Sequence, residues 1–89
     1  MFALNQNKNT LVNIDTTTFV QLGYAEDTRK HRIIAHIGYL LKPNGTPSPI
    51  VEILGEYEDE SDANVAFQKF TYSLKCKAVY FEMPPDDVV

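Results

Sequence analysis

From Ala63 the apolar side chains fall at i, i+3, i+4, i+7 and i+11 (Ala63, Ala66, Phe67, Phe70, Leu74), the stripe of a helix with one buried face. Upstream of that helix the period is two. Phe2-Ala3-Leu4 begins a short strand that stops at Asn5-Gln6-Asn7-Lys8-Asn9, where asparagines favour turns. Thr10 to Ile14 alternates, with Val12 and Ile14 on one side, and pairs with the first run as a hairpin. Thr17 to Tyr24 makes a third strand, with Val20, Leu22 and Tyr24 on one face and Phe19 and Gln21 on the other.

The fourth strand, His31 to Leu41, places Ile33, Ala35, Ile37 and Tyr39 on one face and Arg32, Ile34, His36 and Gly38 opposite. Pro43-Asn44-Gly45-Thr46-Pro47-Ser48-Pro49 is the plainest turn, and its three prolines are expected to stay out of any sheet. A fifth strand then runs from Ile50 to about Glu56. Asp59 suits a helix N-cap, and Glu58, Asp59, Glu60 and Asp62 gather at the positive end of the helix dipole. The helix, about 59–75, ends among Lys75 and Lys77, and Ala78 to Glu82 forms a short last strand. Met83-Pro84-Pro85 stops it, leaving 84–89 as an expected disordered tail of a single domain, 1–89.

This order predicts an α+β fold: an antiparallel meander of about five strands, one helix on one of its faces, and a short C-terminal strand. The other face carries Phe19, Ile34 and Leu40. It is too apolar to be left in water, so these three are expected at an interface between copies of the chain.

Composition narrows the partners. Eighty-nine residues make one modest core, and 44% hydrophobic content is too rich for a disordered chain. A net charge of −4 argues against direct binding of nucleic acid or of an anionic membrane. No apolar run reaches the ~18 residues of a spanning helix. With no secretion signal at the N-terminus and Cys76 as the sole cysteine, the expected setting is cytoplasmic, with Cys76 a buried or half-buried inert thiol.

Chemical signatures are lacking. His31 and His36, five apart in a strand, point to opposite faces and cannot share one ion, so no metal and no cofactor is expected. The carboxylates of 56–62 fail the EF-hand pattern, since a loop counted from Asp59 holds Asn64 at its sixth position and Phe70 at its twelfth. No G-x-S-x-G and no glycine-rich phosphate loop occurs, and the chain reads as non-enzymatic. One cationic cluster stands out on this acidic chain: Arg29, Lys30 and Arg32, around His31. A planar guanidinium and an ammonium suit nucleotide phosphates, and Tyr39 offers a stacking surface, so Arg29, Lys30, Arg32 and Tyr39 form the candidate ligand site.

Ile53-Leu54-Gly55-Glu56-Tyr57, the acidic helix start, Ala63, Ala66-Phe67 and Phe81-Glu82-Met83-Pro84, with Leu11 to Asp15 upstream, resemble a recurrent group of small proteins encoded by bacterial phages and mobile elements. The likeness runs from about residue 4 to residue 85 and departs in the proline-rich loop 42–49. It carries no activity and no functional residue with it. What it implies is a binding role, in one of two forms. One is an oligomer that sequesters a nucleotide signal of host immunity, as Thoeris anti-defence sponges do. The other is an acidic inhibitor of a host protein, as several anti-CRISPR proteins are. A structural accessory protein without a discrete site is the third possibility.

Overall fold

The computed structural model describes residues 1–86. The elements run β1 (Phe2–Leu4), β2 (Leu11–Asn13), a 3-10 turn (Ile14–Thr16), β3 (Phe19–Ala25), β4 (Lys30–Leu41), β5 (Pro47–Tyr57), α1 (Glu60–Lys75) and β6 (Tyr80–Glu82). The fold is α+β, as the sequence pattern implies.

The strands divide between two three-stranded sheets instead of forming one continuous meander. The small sheet has the order β2-β1-β6, with β1 antiparallel to β2 and parallel to β6; the large one has the order β3-β4-β5 and is antiparallel throughout. The break falls at the 3-10 turn, where side chains capture the backbone. Asn13 Oδ1 accepts from the Asp15 N–H at 3.1 Å, and the hydroxyls of Thr16 and Thr17 donate to the carbonyls of Asn13 and Ile14. Such local bonds compete with a ladder, so β2 ends instead of running on to β3.

One core joins the layers. Ile33 and Ala35 of β4 and Leu54 and Tyr57 of β5 meet Ala63, Ala66 and Phe70 of α1, while Ala3, Val12 and Met83 close the cluster from the small sheet's side. Phe67, Val20 and Leu22 pack on its margin, and Phe81 meets Phe70 edge-on at 5.6 Å. The alanines let the helix lie close to the sheet. Gly55 makes room for Met83 and Tyr57, because a Cβ there would stand 2.9 Å from Met83 Cγ and 3.0 Å from the Tyr57 hydroxyl.

The helix begins after Asp59, but the Asp59 carboxylate makes no capping hydrogen bond. Its other end closes in a Schellman arrangement. The N–H of Lys77 donates to Leu74, that of Ala78 donates to Ser73, and Lys77 takes the left-handed φ of 58° usually left to glycine. Cys76, at this C-cap, is exposed, contrary to the expectation of burial or half-burial: it lies past the last turn of the buried helix stripe.

Two prolines lie inside a strand, against expectation. Pro47 pairs with Leu41 and Pro49 with Tyr39. The sheet tolerates them because β5 is an edge strand, and at these alternate positions the missing N–H faces away from β4. The β4–β5 turn is a three-residue loop, Pro43-Asn44-Gly45, with Gly45 at φ 84° and its N–H donating to Lys42.

The loop after β1 stitches the two sheets together. Asn5, buried, holds its own turn by accepting from the N–H groups of Asn9 and Thr10. Gln6 then behaves as a fragment of strand beside β5. Its N–H donates to the Leu54 carbonyl, its Oε1 accepts from the Glu56 N–H at 2.9 Å, and its Nε2 donates to the Glu56 carbonyl at 3.0 Å. Of the tail expected over 84–89, Pro84 accepts the Tyr57 hydroxyl at 2.6 Å and Gln6 Nε2 at 3.4 Å; residues 87–89 lie outside the described residues.

Candidate functional site

The ligand site expected from the sequence is not assembled in one chain. Arg29 sits in the β3–β4 turn with a left-handed φ of 56°, and Lys30 opens β4 opposite Ala25. Arg32 is already engaged: its Nε donates to Glu56 Oε2 at 2.9 Å across the β4–β5 pair. Tyr39 lies seven residues further along β4, roughly 23 Å away at strand rise, so it cannot stack on a ligand held by Arg29–Arg32 of the same chain. Tyr24, nearer that cluster, leans on His31 instead, at 4.9 Å between ring centres.

The face of the large sheet turned away from α1 is the more distinctive surface. Paired residues share a face, so the register settles its membership. Phe19 with His36, Gln21 with Ile34, Ile34 with Ile53 and His36 with Val51 all lie on this outer side, while Val20 with Ala35 and Leu22 with Ile33 lie toward the helix. Phe19 is stacked on His36 at 4.0 Å with rings 19° apart, and His36 Nε2 is sealed there without a hydrogen-bond partner.

Two bulges reshape the strands. At Leu54 the bulge puts an extra core side chain on β5 and leaves the carbonyl that Gln6 takes. At Ile37 the pairing passes from His36–Val51 to Gly38–Ile50, and β4 thereafter alternates in the opposite sense. Tyr39 and Leu41, paired with Pro49 and Pro47, therefore join Phe19 and Ile34 on the outer face. Leu40, paired with Ser48, falls to the other side. This corrects two readings of the sequence: Tyr39 does not share a face with Ile33 and Ala35, and of the interface trio Phe19, Ile34 and Leu40, only Phe19 and Ile34 lie together. Past His36 the β4–β5 pair also outruns β3, as a two-stranded ribbon. Tyr39 is 73% exposed, Leu41 71% and Leu40 63%.

Concavities adjoin these elements. An open groove of about 400 Å³ follows the β5 edge between Asn7, Asn9 and Thr10 on one wall and Val51 to Gly55 on the other; a hollow of about 450 Å³ lies among Met1, Phe2, Leu74 and Val79. Neither contains a residue of the Arg29–Arg32 cluster. Among the described residues no three His, Cys, Asp or Glu side chains are grouped to hold a metal, and no helix is long and apolar enough to cross a membrane. Burial, and after it the Asp86 carboxylate, raises the Tyr57 hydroxyl well above the ordinary tyrosine range. Its hydrogen bond to Pro84 makes that tyrosine part of the core's closure.

Sequence reasoning missed Gln6, Val51, Leu41 and the two strand prolines as contributors to these surfaces. The only signal was compositional: a β4–β5 region in which large apolar residues continue well past the length that α1 can cover. Compared with known protein families, with curated proteins and with solved structures, the chain matches none.

Proposed function

We propose that this is a non-enzymatic, cytoplasmic binding protein that works as a homo-oligomer. Its phage or mobile-element origin rests on sequence likeness alone. The observation that carries the reading is the outer face of the large sheet, where Phe19, Val51, Tyr39 and Leu41 are exposed on the side opposite the helix. An apolar sheet face of this kind is the mark of an interaction surface. Sedimentation or light scattering at micromolar concentration tests it: a mass of at least twice 10.1 kDa is expected, and the mass of a single chain overturns it.

Sequestration of a small signalling nucleotide is one use of such an oligomer. Arg29 and Lys30 make no ion pair among the described residues, and a pocket between copies is where they would meet an aromatic side chain such as Tyr39. A thermal-shift panel of cyclic nucleotides checks this, since a ligand at 100 times its Kd adds about 2.7 kcal/mol; an unmoved melting temperature removes it.

A second reading, an acidic inhibitor of a host protein, is favoured by the helix start. Glu58, Asp59, Glu60 and Asp62 form no salt bridge among the described residues, and Asp59 is not spent on capping. Charge reversal of Glu58, Asp59 and Glu60 abolishes capture of a host partner on this reading, and capture by neither form removes it.

A further inference from the structure

We propose that the bulge at Ile37 builds the contact surface of a homodimer: it turns Tyr39 and Leu41 onto the face that carries Phe19 and Ile34, and a second copy of this chain packs there, outer sheet against outer sheet. The proposal rests on the homo-oligomer reading and adds to it the face, the copy number and the residues.

The argument begins with the period of a strand. Had β4 run without interruption from Lys30 to Leu41, Tyr39 and Leu41 would have shared a side with Ile33 and Ala35. One extra residue reverses this, and bulges commonly serve to re-aim side chains. The result is a continuous outer strip in which Phe19, Ile34, Ile53 and Val51 lead into Tyr39 and Leu41, bordered by Pro47 and Pro49.

Charge selects a second copy as the occupant, and size sets how tightly it holds. The chain carries a net charge of −4, so most of its surface repels its own kind. From Arg32 to Leu41 the outer strip is different: its charged side chains are Arg32 and Glu56, which neutralise each other at 2.9 Å, and two copies meet there without like-charge opposition. At strand spacing and rise the strip covers roughly 400 Å² in flat projection per copy, about 800 Å² for a pair, and side-chain relief adds to that. That is the size of a weak, concentration-dependent pairing, smaller than the ~1,200–2,000 Å² of tight complexes.

Edge-to-edge pairing of copies through β5 is closed off. Pro47 and Pro49 have no N–H to give at that edge, and Gln6 already occupies Leu54 and Glu56. Face-to-face packing, as in a β-sandwich, is the arrangement that buries the strip in both copies.

The test compares three neighbouring substitutions, Tyr39→Glu, Leu41→Glu and Leu40→Glu, by sedimentation equilibrium of the full chain, with circular dichroism to confirm folding. All three side chains are exposed in the single chain. A dimer is expected for the unaltered protein. Tyr39→Glu and Leu41→Glu should each raise its dissociation constant at least about a hundredfold, because a two-fold interface buries the new carboxylate twice. Leu40→Glu should change it by no more than about threefold. Tyr39→Ser and Leu41→Ser repeat the comparison should a glutamate variant fail to fold. If Leu40→Glu disrupts as strongly as Tyr39→Glu, or if the two outer substitutions have no effect, this proposal is overturned while the homo-oligomer reading stands. An assembly larger than two has the same consequence. A monomer at all concentrations, with the face left to a different protein, removes both.

Discussion

The two faces of the β3–β4–β5 sheet are made by the same strands and differ in almost every other respect. The inner face is built from small and branched side chains, Ala35, Ile33 and Leu22, and meets a helix whose contact stripe is itself alanine-rich. The outer face carries bulkier groups, Phe19, Tyr39 and Leu41, and leaves them exposed. Small side chains allow close layers, and close layers exclude water, so the inner face supplies the stability of the single chain. Large exposed side chains add little to that stability and hold their apolar area in reserve for a partner.

The contrast is broken most severely from the inside. Phe70→Ala removes a ring that is 1% exposed and edge-on to Phe81, and should cost about 3–5 kcal/mol in chemical denaturation. Gln6→Ala attacks the stitch between the sheets. It leaves the Glu56 N–H and carbonyl without their side-chain partners, while the backbone bond to Leu54 stays, with an expected loss of about 1–3 kcal/mol by the same measurement.

Tyr57 adds a pH dependence to the inner side. Its raised pKa means the folded chain keeps the phenolic proton where the unfolded chain, at about 10.0, gives it up. The stabilisation is therefore complete below about pH 10 and declines as pH rises above it. Tyr57→Phe should cost about 1 kcal/mol at neutral pH and make the fall in stability above pH 10 shallower, as read by denaturation across pH 8–11. An unchanged alkaline slope would mean another group is responsible. On the outer face the expected effect is smallest. In dilute solution Tyr39→Ser should alter the unfolding free energy by no more than about 0.5 kcal/mol, whatever it does to association.

Much of the architecture was legible. The i, i+3, i+4, i+7 stripe located α1 and its buried residues, because a helix reports its inner face through spacing alone. Alternation located the strands, and the asparagine run marked the turn after β1. The candidate ligand site was less legible: Arg29, Lys30, Arg32 and Tyr39 are near one another in the sequence, but a strand stretches seven residues over roughly 23 Å and separates what the sequence groups. Arg32 also has a partner, Glu56, that no local pattern announces.

The chain's own pattern of apolar and polar positions settled the class of fold, the helix, its buried stripe and the excess of apolar strand residues over what one helix can cover. Each of these depends on neighbours within a few turns or strand steps. Tertiary structure decided the partition into two sheets, the service of Gln6 to an edge fifty residues away, and the face on which Tyr39 and Leu41 stand. The physical reason is the strand's period of two: one residue set out of register at Ile37 reverses every side chain beyond it, and only the opposite strand reveals where that happens.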